Sequence, residues 1–322
     1  MTACIFEIDE TRRLVPCPPE RAATEGGIEG KKLWIDLTDP DPAELADWLD
    51  RIGVGDLTRR LCVEARHRPG FLPLTDEIYL VIPVLIESPD SGEVDHVAML
   101  ARENVLLTVH RKSIVGSGEL ASLEQSQSWL SEASIPGLVS ALMIQLSLDF
   151  LRHATDLRSS ILALEERMDR EPDTVEAEEI LGLRAGLIAL GGVVGDQLPA
   201  IRSLSATDRP FFRLDAARDS LNCALVNLDT VDRSLDWLDS RMAALRAGFE
   251  MYAQDQTNRR LNLLTILSAV FNPATLLAGI WGMNFVSMPE LQFPYAYPIA
   301  LGVMILIGVL MYRFFRQGGW LD

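Results

Sequence analysis

No charged residue interrupts the chain between Arg260 and Glu290, and none stands between Glu290 and Arg313. A buried core helix is the bland reading of either stretch, and two adjacent uncharged runs make it a weak one. Cysteine is sparse as well. Cys4, Cys17, Cys62 and Cys223 lie far apart with no Cys-x-x-Cys pair, which argues against a zinc ribbon or a disulfide framework and fits a reducing compartment. His67, His96, His110 and His153 show no His-Glu-x-x-His or other ligand spacing, and no Walker or Rossmann glycine pattern follows a strand. The stretch "GGVVGD" (191–196) reads as a flexible or close-packed turn, and "ARHRPG" (65–70) as a surface turn ahead of a strand. These absences leave an enzyme on a membrane tether without a catalytic constellation. The opening "MTACIFEIDETRR" carries acids early and no apolar run, so no signal peptide is read there.

What the chain does hold is an excess of acid. Its formal charge is −17, yet from Gln256 onward Arg259, Arg260, Arg313 and Arg316 outnumber Glu290 and Asp322. The excess therefore belongs to the first 255 residues. A body of that sign repels phosphate, which excludes nucleic acid as a partner, and it attracts cations.

Each uncharged run exceeds the roughly 20 residues that a helix needs to cross a bilayer core. The dense parts are "LNLLTILSAVFNPATLLAGIW" and "YPIALGVMILIGVLMY", and two transmembrane helices are expected. Arginines precede the first and follow the second, while the connecting loop has no Lys or Arg, so both termini are expected in the cytoplasm. Tyr295, Tyr297, Tyr312 and Trp320 fall where interfacial aromatics belong. The expected organisation is a cytoplasmic α/β domain (1–130), a helical and stalk region (131–256), a first span (257–285), an outer loop (286–294), and a second span with a short tail (295–322).

In the first of these, "KKLWIDL" (31–37), "EIYLVIPVLIE" (77–87), "DHVAMLAR" (95–102) and "NVLLTVH" (104–110) read as strands, the last two joined through Glu103-Asn104. "DPAELADWLDRIGV" opens a helix with Asp41 as N-cap, Pro42 at the first position and Glu44 completing a capping box. Beyond Ser113 the pattern turns helical, broken at 134–137, 169–174 and 205–210. Leu221, Leu225, Leu228, Leu235, Leu238, Met242, Leu245, Phe249 and Tyr252 recur at three and four residues, apart from one seven-residue step. One helix from about Leu214 into the membrane is expected, packed side by side with others within or between subunits.

One face of that helix continues as Glu250, Asn258, Leu261, Thr265, Ser268, Asn272, Thr275, Gly279 and Gly282, small or polar at nearly every step inside the apolar run. Helix–helix packing is one reading of such a stripe, in a membrane-anchored scaffold that conducts nothing. An asparagine at mid-depth favours the other, a wet pore, since a buried amide in a span is costly unless it faces water or a partner. Two helices cannot enclose water, but a ring of identical first spans can, with the second spans toward lipid. Leu261 and Leu264 would then form a hydrophobic gate near the cytoplasmic mouth, and copies of Glu250 an acidic ring just inside it, in the funnel.

"GMN" at 282–284, "MPEL" at 288–291 and the closing "RFFRQGGWL", set around two terminal spans, resemble the CorA family of divalent-cation channels. The resemblance implies an α+β cytoplasmic domain, a long stalk helix and two C-terminal transmembrane helices, assembled as a CorA-like funnel. It implies a homopentamer in a bacterial-type plasma (inner) membrane, with Gly282, Met283 and Asn284 as outer selectivity filter. No resident cofactor is implied, only a transported divalent cation: Mg²⁺, alternatively Co²⁺, Ni²⁺ or Zn²⁺. Glu290 in the outer loop would concentrate cations. The family pattern places a regulatory metal on a stalk carboxylate, and here that place falls on Cys223, one turn after Asp219. Asp229, Asp232, Asp236 and Asp239 share a face and stand as replacements or as a solvated surface. Asn272 occupies a position that is commonly apolar in relatives. The related zinc branch, ZntB, varies the tripeptide and lacks MPEL. The intact motifs favour Mg²⁺ and Co²⁺, the missing carboxylate favours the other branch, and the residues leave the ion open.

Overall fold

The computed structural model describes residues 2–18, 30–64, 69–85, 94–111, 130–283 and 294–318, which fall into two compact units, Met1–Leu245 and Arg246–Asp322.

The first unit is built on a seven-stranded sheet. Its strands are β1 (Thr2–Ile8), β2 (Leu14–Pro16), β3 (Leu33–Thr38), β4 (Gly70–Pro73), β5 (Ile78–Leu85), β6 (Val94–Ala101) and β7 (Val105–His110), in the spatial order β2-β1-β3-β7-β6-β5-β4. Every pairing is antiparallel except β3 with β7, which run parallel from Leu33↔Val105 to Thr38↔His110. Two antiparallel pieces are thus joined at the middle by one parallel seam. Both faces are covered, which is why β5 and β7 are buried along their whole length, β5 reading as an apolar run and β7 as one interrupted by Thr108 and His110. On one face α1 (Pro42–Ile52) and α2 (Asp56–Glu64) close a core of Leu45, Trp48, Leu49 and Cys62 against Ile35, Leu37, Leu100 and Leu107.

α1 starts as the residues dictate. Asp41 accepts from the Ala43 and Glu44 amides at 2.9 Å, and the Glu44 carboxylate accepts from the Asp41 amide at 3.2 Å. The helix ends at Gly53, whose φ of 73° a side chain would strain. Arg102, from the β6–β7 turn, donates to the Ile52 and Gly53 carbonyls and satisfies acceptors that the helix end leaves open.

On the far side of the sheet lie α3 (Ile135–Arg170) and α4 (Ala177–Ser205), an antiparallel pair, with Gln197 of α4 donating to the Pro83 carbonyl of β5 at 2.7 Å. The parallel seam carries a polar cluster on the other side of β3 and β7. Trp34 Nε1 donates to Thr108 Oγ1 at 2.9 Å, Thr108 donates to Asp36, and His110 Nε2 lies 3.1 Å from both Asp36 oxygens.

α5 (Arg218–Trp281) is one helix of 64 residues, about 96 Å at the helical rise. Its first part presents a buried seam of Leu221, Ala224, Leu228, Val231, Leu235, Leu238, Met242 and Leu245, spaced three and four apart. Val231 fills the seven-residue step in the expected series, and Ala224 takes the place of Leu225, which is only half-buried. The seam is spent within the chain. Asn227 donates to Ser147 of α3, Arg241 pairs with Glu165 of α3, Trp237 lies under the Arg158 and Arg241 guanidiniums, and Arg202 of α4 pairs with Asp229.

One expectation fails here. The "GGVVGD" stretch forms no turn: it lies inside α4, where Val193 and Val194 are buried and carry the helix through the glycines. The break expected at 134–137 is a helix start, with Ser134 accepting from the Gly137 amide at 3.0 Å and Pro136 in the first turn. The sequence reading also passed over β1, β2, β4 and α2.

Among the described residues, three helices are long and apolar enough to cross a membrane: α3, α5 and α6 (Ala296–Gln317). The apolar part of α3 is 72% buried inside the first unit, so it is a core helix, whereas those of α5 and α6 are 6% and 0% buried. The fold class read from the sequence is the one the chain adopts: an α+β domain, then the long helix, then the C-terminal helix.

Candidate functional site

The second unit consists of the C-terminal part of α5 and α6. α6 packs on one face of α5, that of Ile266, Val270, Pro273, Leu277 and Trp281. Ile266 is buried there, a Cβ on Gly308 would lie 3.9 Å from Val270, and Leu277 and Trp281 line an apolar cleft of about 820 Å³ with Tyr297 and Val303 of α6.

The polar line lies elsewhere. At 3.6 residues per turn each residue advances about 100°. Leu261, Ser268, Asn272, Thr275 and Gly279 then point roughly opposite to the face that α6 covers, with Thr265 close by. Asn258, Leu261, Thr265, Ser268, Asn272, Thr275 and Gly279 are all exposed in the single chain, as is Leu264 on the flank. Thr265 donates its hydroxyl to the Leu261 carbonyl at 2.8 Å, and Thr275 donates to the Phe271 carbonyl at 2.9 Å. Each threonine therefore turns its proton inward and leaves oxygen lone pairs toward the outside of the helix.

α5 ends at Trp281. The Gly282 amide donates to the Ala278 carbonyl at 2.9 Å, and a Cβ there would stand 3.1 Å from that oxygen, so the backbone packs too closely for a side chain without a shift. The Met283 amide donates to the Ile280 carbonyl at 3.2 Å. Asn284, the MPEL segment with Glu290, and Trp320 lie outside the described residues.

The acids are disposed differently from a bare acidic ring. Glu250 accepts from Arg246 Nε at 2.8 Å one turn earlier, and Asp255 from Arg259 at 2.9 Å. Each arginine offsets its partner's charge, although both pairs are well exposed and screened. The i,i+4 spacing that allows these pairs was visible in the sequence and was not used. Of the stalk aspartates, Asp229 is engaged with Arg202 at 2.8 Å, while Asp219, Asp232, Asp236 and Asp239 are exposed. Among the described residues of one chain, no group of three His, Cys, Asp or Glu is placed to hold a metal.

Comparison with known proteins covers nearly the whole chain. Residues 29–317 match the model of the CorA-like Mg²⁺ transporter protein family. A magnesium transport protein CorA of Mannheimia succiniciproducens is 36% identical over 115 residues, 36% of this chain and 35% of that protein. The chain thus spans only about a third of that relative. A cobalt/magnesium transport protein CorA of Thermotoga maritima is 22% identical over 295 residues, covering 89% of this chain and 83% of its own. The complete structure of the CorA magnesium transporter from Methanocaldococcus jannaschii superposes with a TM-score of 0.77 at 18% identity, over 99% of both chains. The cytoplasmic domain of ZntB from Vibrio parahaemolyticus gives 0.63 at 13% identity, over 78% of this chain and 98% of its own.

Proposed function

The chain belongs to the CorA-like Mg²⁺ transporter family, and we propose from that premise that it is a homopentameric channel carrying hydrated divalent cations along the polar line of α5. The family is one of transporters and not of enzymes. The observation that carries the reading is directional. The polar line of α5 lies opposite the face that α6 covers, so a ring with α5 innermost directs that line to a common axis and leaves α6 to the lipid. Both helices would cross a bacterial plasma membrane, with the two termini on the cytoplasmic side.

Mg²⁺ gives up its inner waters reluctantly. Gly282 carbonyls and Asn284 amides hydrogen-bond such an ion without stripping it, and neutral oxygens release it again, as conduction requires. Leu261 and Leu264 supply the dry constriction. Glu290 and Glu250 raise the local cation concentration, Glu250 less than a lone carboxylate would because Arg246 sits beside it. The cargo is Mg²⁺, with Co²⁺ and Ni²⁺ as ions of similar charge and hydration. A second reading, a Zn²⁺ transporter of the ZntB-like branch, draws on Cys223 standing at the expected sensor position and on Asp229 being engaged with Arg202. If a regulatory metal binds, Asp219, Asp232, Asp236 and Asp239 are the carboxylates left for it.

The test is cation flux into proteoliposomes, comparing Mg²⁺, Co²⁺, Ni²⁺ and Zn²⁺ for the wild type and Asn284→Ala. Mg²⁺ influx that disappears in a variant still forming the ring supports the reading. Influx of Zn²⁺ without Mg²⁺ moves the protein to the second, and undiminished Mg²⁺ flux in Asn284→Ala removes the filter assignment.

A further inference from the structure

Asn272 is the largest polar side chain on the line within the uncharged run, and its carboxamide forms no hydrogen bond among the described residues. It stands 12 residues after Arg260 and 10 before Gly282, hence about 18 Å and 15 Å along the helix. That is near the middle of a hydrocarbon core of about 30 Å. A carboxamide without a partner at that depth is costly. α6 lies on the opposite face of α5 and cannot supply one. The partner must come from outside the chain.

The neighbouring threonines of the line narrow what that partner is. Thr265 and Thr275 spend their hydroxyl protons on carbonyls of their own helix and offer only oxygen outward. The surface around Asn272 thus presents threonine hydroxyl oxygens and the carboxamide oxygen, beside the carboxamide NH2 and the Ser268 hydroxyl as donors. Its oxygens complement the outward-pointing protons of water bound to a cation.

We propose that Asn272 forms a second cation station, at mid-membrane, where the carboxamide oxygens of the ring hold a divalent cation together with its water shell. The proposal rests on the channel reading above. The station lies about 15 Å inside Gly282 and about 12 Å outside Leu264. It divides the passage between filter and gate near its middle. Being neutral, it holds an ion without trapping it.

The experiment uses the full chain in proteoliposomes, with Mg²⁺ as the probe, and compares wild type, Asn272→Leu, Asn272→Ser and Asn284→Ala. The mass of each ring is measured in detergent. A station predicts that Asn272→Leu lowers Mg²⁺ influx on the order of tenfold or more, the scale of at least one net hydrogen bond lost at a barrier. Asn272→Ser, which keeps an acceptor, retains most of the flux, and both variants remain rings. Undiminished flux in Asn272→Leu overturns the proposal. So does dissociation of the Asn272→Leu ring, which makes the amide a contact between subunits. Either result leaves the channel reading standing if wild type conducts and Asn284→Ala does not. A wild type that forms no ring or moves no Mg²⁺ ends both.

Discussion

Single residues carry most of the chemistry, and His153 is a measurable case away from the membrane. The imidazole is 8% exposed in α3 and its Nδ1 makes no hydrogen bond. Burial holds its pKa below the ordinary 6.5; Asp156 opposes the shift and Arg152 adds to it. The folded state therefore binds fewer protons than the unfolded one below about pH 6.5. Stability is full above that pH and falls as the solution is acidified toward the lower folded value. In urea titrations at pH 8 and pH 5.5, His153→Leu should lose less stability on acidification than the wild type. Equal losses in the two proteins would exclude His153 as a source of the slope. Some slope must survive in the variant, because burial lowers the His96 pKa too. Cys62 shows the same cause with the opposite sign, its thiol pushed up to about 12 by burial first and Glu77 second, which makes it an inert core residue.

At the scale of elements, the glycines of α4 give a direct prediction. Gly192 and Gly195 sit in a helix interior with nothing within 4 Å of an added Cβ. Gly195→Ala should raise the unfolding free energy by about 0.5–1 kcal/mol, read as a higher midpoint in thermal or urea unfolding. A turn at that place would give no gain. The residues suggested a turn because three glycines in six outweigh two valines in any local count, and only the buried packing of Val193 and Val194 reverses it. Elsewhere the sequence was read well for equally physical reasons. The capping box at Asp41 is a local motif, and β5 is an apolar run because both its faces are covered. β2 and β4 were illegible because three- and four-residue strands containing Pro16 and Pro73 are strands only by virtue of the neighbour they pair with. The polar line could be traced from spacing alone, since the helical period fixes which residues share a face. Its position opposite α6 could not, because that depends on which side the second helix packs.

Across the whole molecule the charge is unevenly divided. Residues 246–322 contain five arginines and four acids, a net of +1, so the first unit carries −18 of a total of −17. On the channel reading proposed above, with Cys223 at the expected sensor position and Asp229 paired to Arg202, raising Mg²⁺ on the proposed cytoplasmic side should leave flux unchanged. A steep fall would instead assign sensing to Asp219, Asp232, Asp236 and Asp239 across neighbouring chains, and their replacement by Asn would abolish it. The burial of α3 has a consequence for biogenesis. A ribosome delivers this helix to the cell more than a hundred residues before the apolar part of α5, and by length and composition α3 is itself acceptable to the insertion machinery. What covers it includes the sheet and α4, and both are complete before the apolar part of α5 emerges. The order of elements along the chain thus acts as a timetable, in which one apolar helix can be folded into its domain before the two exposed apolar helices are made.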